Sequence, residues 1–276
     1  MFRDFLHIFY PDTYVLSNGK KVREKFNWLP YVVILLIAAT ILSGKVTGFS
    51  FSTLFRRGHV FFDFFGLMFP PRWAFWDEIK KPLIDTINMS LLGTAIGCLI
   101  SLPVSFYLAS NFKLNKTYLS IHRGILSVFR TLPTLIYARL ISIVIGTGTL
   151  AGTISIAIFS FSVCVKMLYE QLETIDMGPY EALESTGANR ERCMIAAAYP
   201  QIRSYFWSTV LYCFEMNVRS AAILGYVGAG GIGVQINNTL GWREYTNTGL
   251  MIFALVIVVV VIETISREIR RRLVQG

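Results

Sequence analysis

The sequence predicts an all-α polytopic membrane protein of about six transmembrane helices, and two observations carry this prediction. Charged residues make up only 16% of the 276 residues, whereas a soluble domain carries about 25%. The apolar residues are concentrated in blocks of roughly 18 to 27 residues, long enough to cross a hydrocarbon core of about 30 Å as a helix. Such blocks exclude a soluble enzyme, a disordered chain and a disulfide-rich secreted domain. They also disfavour a transmembrane β-barrel, whose strands alternate apolar and polar residues.

The N-terminal third contains one predicted span and a mixed segment after it. Residues 1–27 form a basic tail, and residues 28–46 form the first transmembrane helix. This apolar block is longer than the core of a secretory signal peptide, so it is expected to stay uncleaved. Residues 47–83 are rich in phenylalanine and are predicted to be extracytoplasmic or interfacial. The aromatic and charged stretch at 73–81 suits a helix that lies at the membrane surface.

Residues 84–276 contain five further predicted spans. These cover about 84–110, 125–145, 150–168, 205–226 and 249–265. Arg130, Pro133 and Arg139 inside the span at 125–145 predict a kinked helix that faces protein rather than lipid. The Lys and Arg residues cluster beside the spans in a pattern that predicts a cytoplasmic location for both termini. This clustering explains the net charge of +9 without a nucleic-acid partner.

No catalytic or metal-binding pattern is recognisable in the sequence. The four cysteines, Cys98, Cys164, Cys193 and Cys213, include no C-x-x-C pair and are predicted to be buried apolar residues. There is no H-E-x-x-H or G-x-S-x-G motif, which disfavours an intramembrane enzyme. The phosphate-binding motif G-x-x-x-x-G-K-[S/T] is also absent, so any ATP must be hydrolysed by a partner. The lack of repeated halves argues against a secondary transporter.

A polar segment at 170–203 separates the fourth and fifth of the six spans and is expected to form two short helices. Asp176 can cap the first helix, and Gly187 can end it in a left-handed conformation. Asn189 can cap the second helix, and Pro200 is expected to stop it. By these local signals alone, an ordinary structured loop is an equally good interpretation.

The same segment resembles the EAA motif of bacterial ABC importer permeases. Glu181, Ala182, Gly187 and Pro200 have the spacing of that motif. Three other positions depart from the family pattern, which leaves open how the second helix packs. The resemblance implies a coupling helix that docks in a groove of an ATPase subunit, with Ala188 among the coupling residues.

The fifth span carries polar residues that need protein or water around them. Glu215 and Arg219 are four residues apart, so they lie on one helical face with the acid first, the better order for an ion pair. An arginine at the bilayer centre costs about 2.5–3.5 kcal/mol on insertion scales. One interpretation is a buried ion pair that fixes helix packing. The other is a polar point on the path of an anion, which makes Arg219, Glu215, Asn217 and Ser220 candidate substrate-path residues.

A glycine-rich segment follows the fifth span. Its glycines are Gly225, Gly228, Gly230, Gly231 and Gly233. A dinucleotide site is excluded because no βαβ unit surrounds them. Glycine permits positive φ angles and close backbone approach, so the segment is predicted to be a bent, partly unwound gate that faces a cavity. Close helix packing through small residues is a second interpretation, and both can hold together.

Two of these motifs together strongly resemble the permease subunit of phosphonate ABC importers. They are F-E-M-N-V-R-S at 214–220 and V-G-A-G-G-I-G at 227–233, and the resemblance covers about 60–272. It implies the architecture of a type I, MetI-like ABC importer permease in the inner membrane of a bacterial cell. It also implies a homodimer, an extracytoplasmic substrate-binding protein, and ATPase subunits that bind ATP and Mg, with no cofactor in this chain. The implied substrates are phosphonates, with phosphite and phosphate as related anions. A permease for an amino acid or an osmolyte is the alternative.

Overall fold

The computed structural model describes residues 13–17, 19–23, 28–112 and 115–275. Most of the predicted basic tail at 1–27 therefore lies outside the described residues. Within the described residues the chain is almost entirely helical, as predicted, with one short hairpin as the exception. The chain divides into two compact units, residues 1–65 and residues 66–276.

The first unit contains the hairpin and two helices. Strands β1 (Thr13–Val15) and β2 (Lys21–Arg23) pair antiparallel. Helix α1 (Leu29–Val46) is apolar almost throughout and buries none of its residues against protein, as expected for a span surrounded by lipid. Helix α2 (Phe51–Gly66) is amphipathic, with a row of exposed phenylalanine side chains along one face.

The second unit is a bundle of nine helices within the part of the chain that the structure describes. Their bounds are Trp76–Leu108 (α3), Lys116–Thr131 (α4), Thr134–Ile145 (α5), Thr149–Leu172 (α6), Gly178–Ser185 (α7), Arg190–Cys193 (α8), Tyr199–Leu224 (α9), Ile232–Gly241 (α10) and Tyr245–Gln275 (α11). Short 3₁₀ turns lie at Trp73–Phe75, Ser110–Phe112 and Gly225–Val227, and a π-helical turn at Met194–Ala198 joins α8 to α9.

Helices α3 and α6 pack closely because glycines of α3 face α6. A Cβ atom at Gly93 would lie 2.7 Å from the carbonyl oxygen of Thr153, and one at Gly97 would collide with the backbone at Ala157. Small residues allow this approach of two backbones, as they do in other membrane helix pairs. All four cysteines are buried in the bundle, which confirms that prediction.

Among the described residues, four helices are long and apolar enough to cross a membrane, namely α1, α3, α6 and α11. Helices α4 and α5 add a fifth candidate if they count as one span, bent by 86°. The bend lies at Pro133 and confirms the predicted kink, because proline breaks the helical hydrogen bonds. Helix α9 has 26 residues but is less apolar, since Glu215 and Arg219 interrupt it. Five of the six predicted spans thus fall on one helix each, and the span at 125–145 falls on the bent pair α4 and α5.

Helix α3 begins earlier than the sequence predicts. It starts at Trp76 instead of near residue 84, so the stretch at 73–81 is continuous with the second span and does not form a separate surface helix. Asp77 and Glu78 occupy its first turn, where the helix dipole favours acids. Pro82 lies inside the helix without ending it.

Candidate coupling segment and translocation residues

Residues 173–198 form a compact helical projection between the end of α6 and the start of α9, here called the elbow. Tyr180 of α7 and Cys193 of α8 are buried in one cluster with Phe112, Leu172 and Ile202. This cluster joins the elbow to the ends of α3, α6 and α9, so the elbow is fixed to three helices of the bundle. The projection is therefore a packed structure and not a loose loop.

The turn at Gly187 has the predicted conformation. Its φ angle is +83°, in the left-handed region that favours glycine. A Cβ atom there would meet nothing within 4 Å, so only the backbone conformation demands a glycine. Glu181, Ala182 and Gly187 are exposed, and Ala188 is partly buried. The EAA-like residues therefore surround an outward-facing turn.

Asp176 binds the start of α7 as predicted, but it lies one residue before the N-cap position, which Met177 occupies. Asp176 Oδ1 accepts a hydrogen bond of 2.9 Å from the backbone N–H of Gly178, at the first residue of α7. Asn189 occupies the N-cap position of α8 with an extended backbone, but its side chain makes no capping hydrogen bond. Asn189 therefore occupies the predicted N-cap position but does not form the predicted capping hydrogen bond.

Pro200 does not stop the second helix of the elbow, and this prediction was wrong. The π-helical turn at Met194–Ala198 leads directly into α9, where Pro200 occupies the first turn. Proline disrupts the i→i−4 hydrogen bonds of an α-helix, but the turn before Pro200 is already π-helical, with the N–H of Tyr199 bonded to the carbonyl oxygen of Met194. The wider π turn before it changes the hydrogen-bond pattern at the junction. The chain thus runs from elbow to membrane helix without a break.

Gln201 holds the elbow against α9, a role that the sequence did not reveal. Its Oε1 accepts a hydrogen bond of 3.1 Å from the backbone N–H of Asp176, and its Nε2 donates to the carbonyl oxygen of Asp176 at 3.0 Å. The same nitrogen donates to the carbonyl oxygen of Ala197. One side chain therefore joins the two ends of the elbow.

An ion pair at the base of the elbow joins α4 to the end of α6. Arg123 Nη2 donates to Glu173, which also accepts a hydrogen bond of 3.0 Å from the backbone N–H of Ser110. Burial raises the pKa of the Glu173 carboxyl, but the hydrogen bonds from Arg123 and Ser110 outweigh it and hold the pKa below its usual value of 4.5.

The predicted Glu215–Arg219 ion pair is present and belongs to a larger charge network with α11. The Glu215 side chain is only 11% exposed, and its Oε2 also accepts a hydrogen bond of 2.8 Å from Arg270. Glu263 lies 3.7 Å from Arg219 and 2.8 Å from Arg267. Sequence reasoning missed the α11 partners, because helical spacing reveals only neighbours on the same helix.

Asn217 lies on the other side of α9, so the structure does not bring the four substrate-path candidates together. Asn217 is fully buried and donates to Thr94 Oγ1 at 2.8 Å and to Ser160 Oγ at 2.7 Å. It thereby links α9 to α3 and α6. Ser220 Oγ donates to the carbonyl oxygen of Met216 in its own helix. A residue two positions after Glu215 points to the opposite side of a helix, which a helical projection of the sequence could have shown.

The glycine-rich segment is bent and partly unwound, as predicted. Gly228, Gly230 and Gly231 have φ angles of +77°, +81° and +73°. Gly225 and Gly233 allow close approach instead, because a Cβ atom on Gly225 would collide with the backbone of Gly233. The bent backbone and the close packing therefore both occur in this segment, and its role as a gate stays a prediction.

Two hydrogen bonds attach this segment to neighbouring helices. Thr86 Oγ1 of α3 accepts from the backbone N–H of Ile232 at 2.8 Å, and the backbone N–H of Gly148 donates to the carbonyl oxygen of Gly228 at 2.9 Å. The segment lines a cavity of about 430 Å³, as the prediction of a cavity-facing turn requires. Asp85 also lines this cavity.

Residues 101–276 match the family model described as "Binding-protein-dependent transport system inner membrane component". The phosphite transport system permease protein PtxC of Stutzerimonas stutzeri is 30% identical over 206 residues, covering 75% of each chain. The phosphate-import permease protein PhnE of Mycolicibacterium smegmatis is 32% identical over 211 residues, covering 76% of this chain and 40% of that protein.

A chain of the MetNI methionine ABC transporter, solved in inward-facing conformations, has the same fold. It superposes with a TM-score of 0.63 at 22% sequence identity, covering 73% of this chain and 99% of that one. The predicted all-α, MetI-like architecture is therefore confirmed.

Proposed function

We propose a function for this chain from the premise that it belongs to the family of binding-protein-dependent transport system inner membrane components, whose model matches residues 101–276. The chain is the membrane-spanning permease subunit of an ABC importer. Its proposed substrate is a phosphorus oxyanion, either a phosphonate, phosphite or phosphate. Its similarity to a phosphite permease and a phosphate-import permease supports this class.

The observation that carries the proposed mechanism is the exposed elbow. Its turn presents Glu181, Ala182 and Gly187 outward, while Tyr180 and Cys193 anchor it to the ends of three bundle helices. A partner ATPase that binds ATP and Mg and closes on this turn would move those helices together. Such a movement can exchange an outward-open state for an inward-open one, as in any two-state element biased by a ligand.

The candidate path for the anion runs past the charge network and the glycine segment. Arg219 is 50% exposed and supplies a positive charge, while Glu215 holds its orientation. The glycine segment at 225–233 acts as a gate at the C-terminal end of α9, because its bent backbone is attached to α3 and α6 by single hydrogen bonds. Asn217 fixes the packing of α9 and stays outside the path.

The proposed assembly contains a second copy of this chain, two ATPase subunits and an extracytoplasmic binding protein. The elbow and both chain termini lie on the cytoplasmic side of the inner membrane, where the ATPase can reach the elbow. The binding protein docks on the opposite face, near the glycine segment. This orientation follows the distribution of Lys and Arg beside the spans.

Uptake by reconstituted proteoliposomes tests this function. The chain is combined with an ATPase subunit and a binding protein encoded beside it, and uptake of radiolabelled phosphite, phosphate and methylphosphonate is compared with uptake of methionine and carnitine. We expect ATP-dependent uptake of at least one of these phosphorus anions, and no uptake of methionine or carnitine. Uptake of methionine or carnitine, with no uptake of any phosphorus anion, would establish the amino-acid or osmolyte alternative instead.

A further inference from the structure

A second polar cavity lies between α4 and α6, away from the charge network of α9 and α11. Its volume is about 310 Å³. Arg130 and Ser127 of α4 line one side, and the other side is lined by four residues of α6, namely Ser162, Lys166, Tyr169 and Glu170. Ser162 is buried, and Arg130 is partly buried. Two helices thus enclose a small space with three cationic side chains and one carboxylate, since Arg123 also lines it.

Arg123 and Lys166 already have partners in the structure. Arg123 pairs with Glu173, and its guanidinium lies over the ring of Tyr169, 4.3 Å from the ring centre. Lys166 Nζ lies 3.3 Å from Glu170 of its own helix. These pairs neutralise two of the three charges and fix the walls of the cavity.

Arg130 has no carboxylate within ion-pair distance among the residues that the structure describes. A guanidinium that is partly buried without a counterion favours binding of an anion, because five N–H donors then lack a charged acceptor. Arg219 differs, since both Glu215 and Glu263 lie beside it. Of these two arginines, Arg130 is therefore the one whose charge is unpaired.

Apart from Glu170, which pairs with Lys166, the other polar side chains of the lining can donate hydrogen bonds to a small oxyanion. The Ser127 hydroxyl can donate to an anion, and so can the Tyr169 hydroxyl and the Lys166 ammonium group. Tetrahedral phosphorus oxyanions present several acceptor oxygens, and arginine binds such groups with two parallel hydrogen bonds. The cavity volume of about 310 Å³ leaves room for an anion with bound water.

We infer that the cavity between α4 and α6 is a binding site for a phosphate-type oxyanion, with Arg130 as its main ligand. The inference rests on the proposed function only in naming the transported anion as one source of this ligand. The phosphate group of an anionic phospholipid presents the same chemistry to the cavity.

Equilibrium binding of inorganic phosphate to the full chain in phosphatidylcholine nanodiscs tests the site. We expect Arg130→Gln to weaken phosphate binding about tenfold, the effect of losing a charge-assisted hydrogen bond, and Arg130→Lys to restore part of it. Arg139→Gln is the matched control, because Arg139 is an exposed arginine of α5 outside the cavity. Lys166→Gln supplies a second test of the cavity should Arg130→Gln not fold.

A second arm uses nanodiscs with phosphatidylglycerol, and native mass spectrometry counts the lipids that stay bound. Retention of phosphatidylglycerol that is lost in Arg130→Gln supports the site with a lipid headgroup as its ligand. Equal binding by wild type and the Arg130 and Lys166 variants in both arms would overturn the inference. Wild-type uptake of phosphite together with that result would leave the proposed function standing, whereas phosphate binding without any uptake would support only the site.

Discussion

At the scale of single residues, the polar side chains of α9 are divided between two faces with different surroundings. Glu215 and Arg219 face α11 and its charges, and Asn217 faces the interior between α3 and α6. The charged pair was predictable from a spacing of four residues. The partner Arg270 was not, because 55 residues separate it from Glu215 and only the packing of α9 against α11 brings them together.

Glu215 is expected to stabilise the fold more than its neighbour Glu263. Replacing Glu215 by Gln leaves Arg219 and Arg270 without their shared carboxylate, which costs about 1.5–3 kcal/mol. Glu263→Gln is the matched control, since its side chain is 37% exposed against 11% for Glu215, and it should cost less than about 1 kcal/mol. Thermal unfolding of the full chain in detergent measures both, and equal losses would contradict a dominant role for Glu215.

The Arg123–Glu173 ion pair predicts a defined dependence of stability on pH. The pKa of Glu173 is lowered in the folded chain, so its contribution is fully present above the usual value of 4.5 and is lost as the pH falls further. The Tm difference between wild type and Glu173→Gln should therefore be constant from pH 7 to about pH 5 and shrink below pH 4.5. A difference that grows on acidification would contradict this assignment.

At the scale of elements, the sequence predicted helices better than their boundaries. Gly187 and the glycines between Gly225 and Gly233 were predictable, because left-handed backbone and close approach both exclude a Cβ atom. The continuation of α9 through Pro200 was not, because it depends on the π turn before it. The early start of α3 was missed because charged residues such as Asp77 and Lys80 indicated a separate surface helix instead of the beginning of the span.

The contact between Gly225 and Gly233 predicts a strong effect of one methyl group. Gly233→Ala places its Cβ against the carbonyl oxygen of Ala222 and should separate α9 from α10, at a cost of about 1–3 kcal/mol. Gly241→Ala is the matched control at the end of the same helix, where a Cβ meets nothing within 4 Å. Thermal unfolding and transport are measured together. Equal behaviour of the two variants would argue against a tight contact at Gly233.

At the scale of the whole molecule, the elbow and the bundle behave as connected parts of one compact unit. The buried cluster around Tyr180 and the hydrogen bonds of Gln201 connect the elbow to α3, α6 and α9, so we expect a displacement of the elbow to move these helices. The family could be recognised from the sequence because short motifs carry the resemblance. The cavity at Arg130 could not be recognised from the sequence, because residues of two different helices line it and no sequence motif marks them.

The central proposal is that the chain does not power transport itself. A partner ATPase moves its helices through the elbow turn at Gly187. Uptake of phosphite per ATP hydrolysed, in proteoliposomes with all subunits, tests it most directly. We predict that Gly187→Val lowers this ratio about tenfold, because a β-branched residue resists the left-handed φ by about 1–2 kcal/mol. Gly187→Asn should keep the ratio near that of wild type, since asparagine tolerates this conformation. An unchanged ratio in Gly187→Val, or uphill uptake by the chain without any ATPase, would contradict the claim.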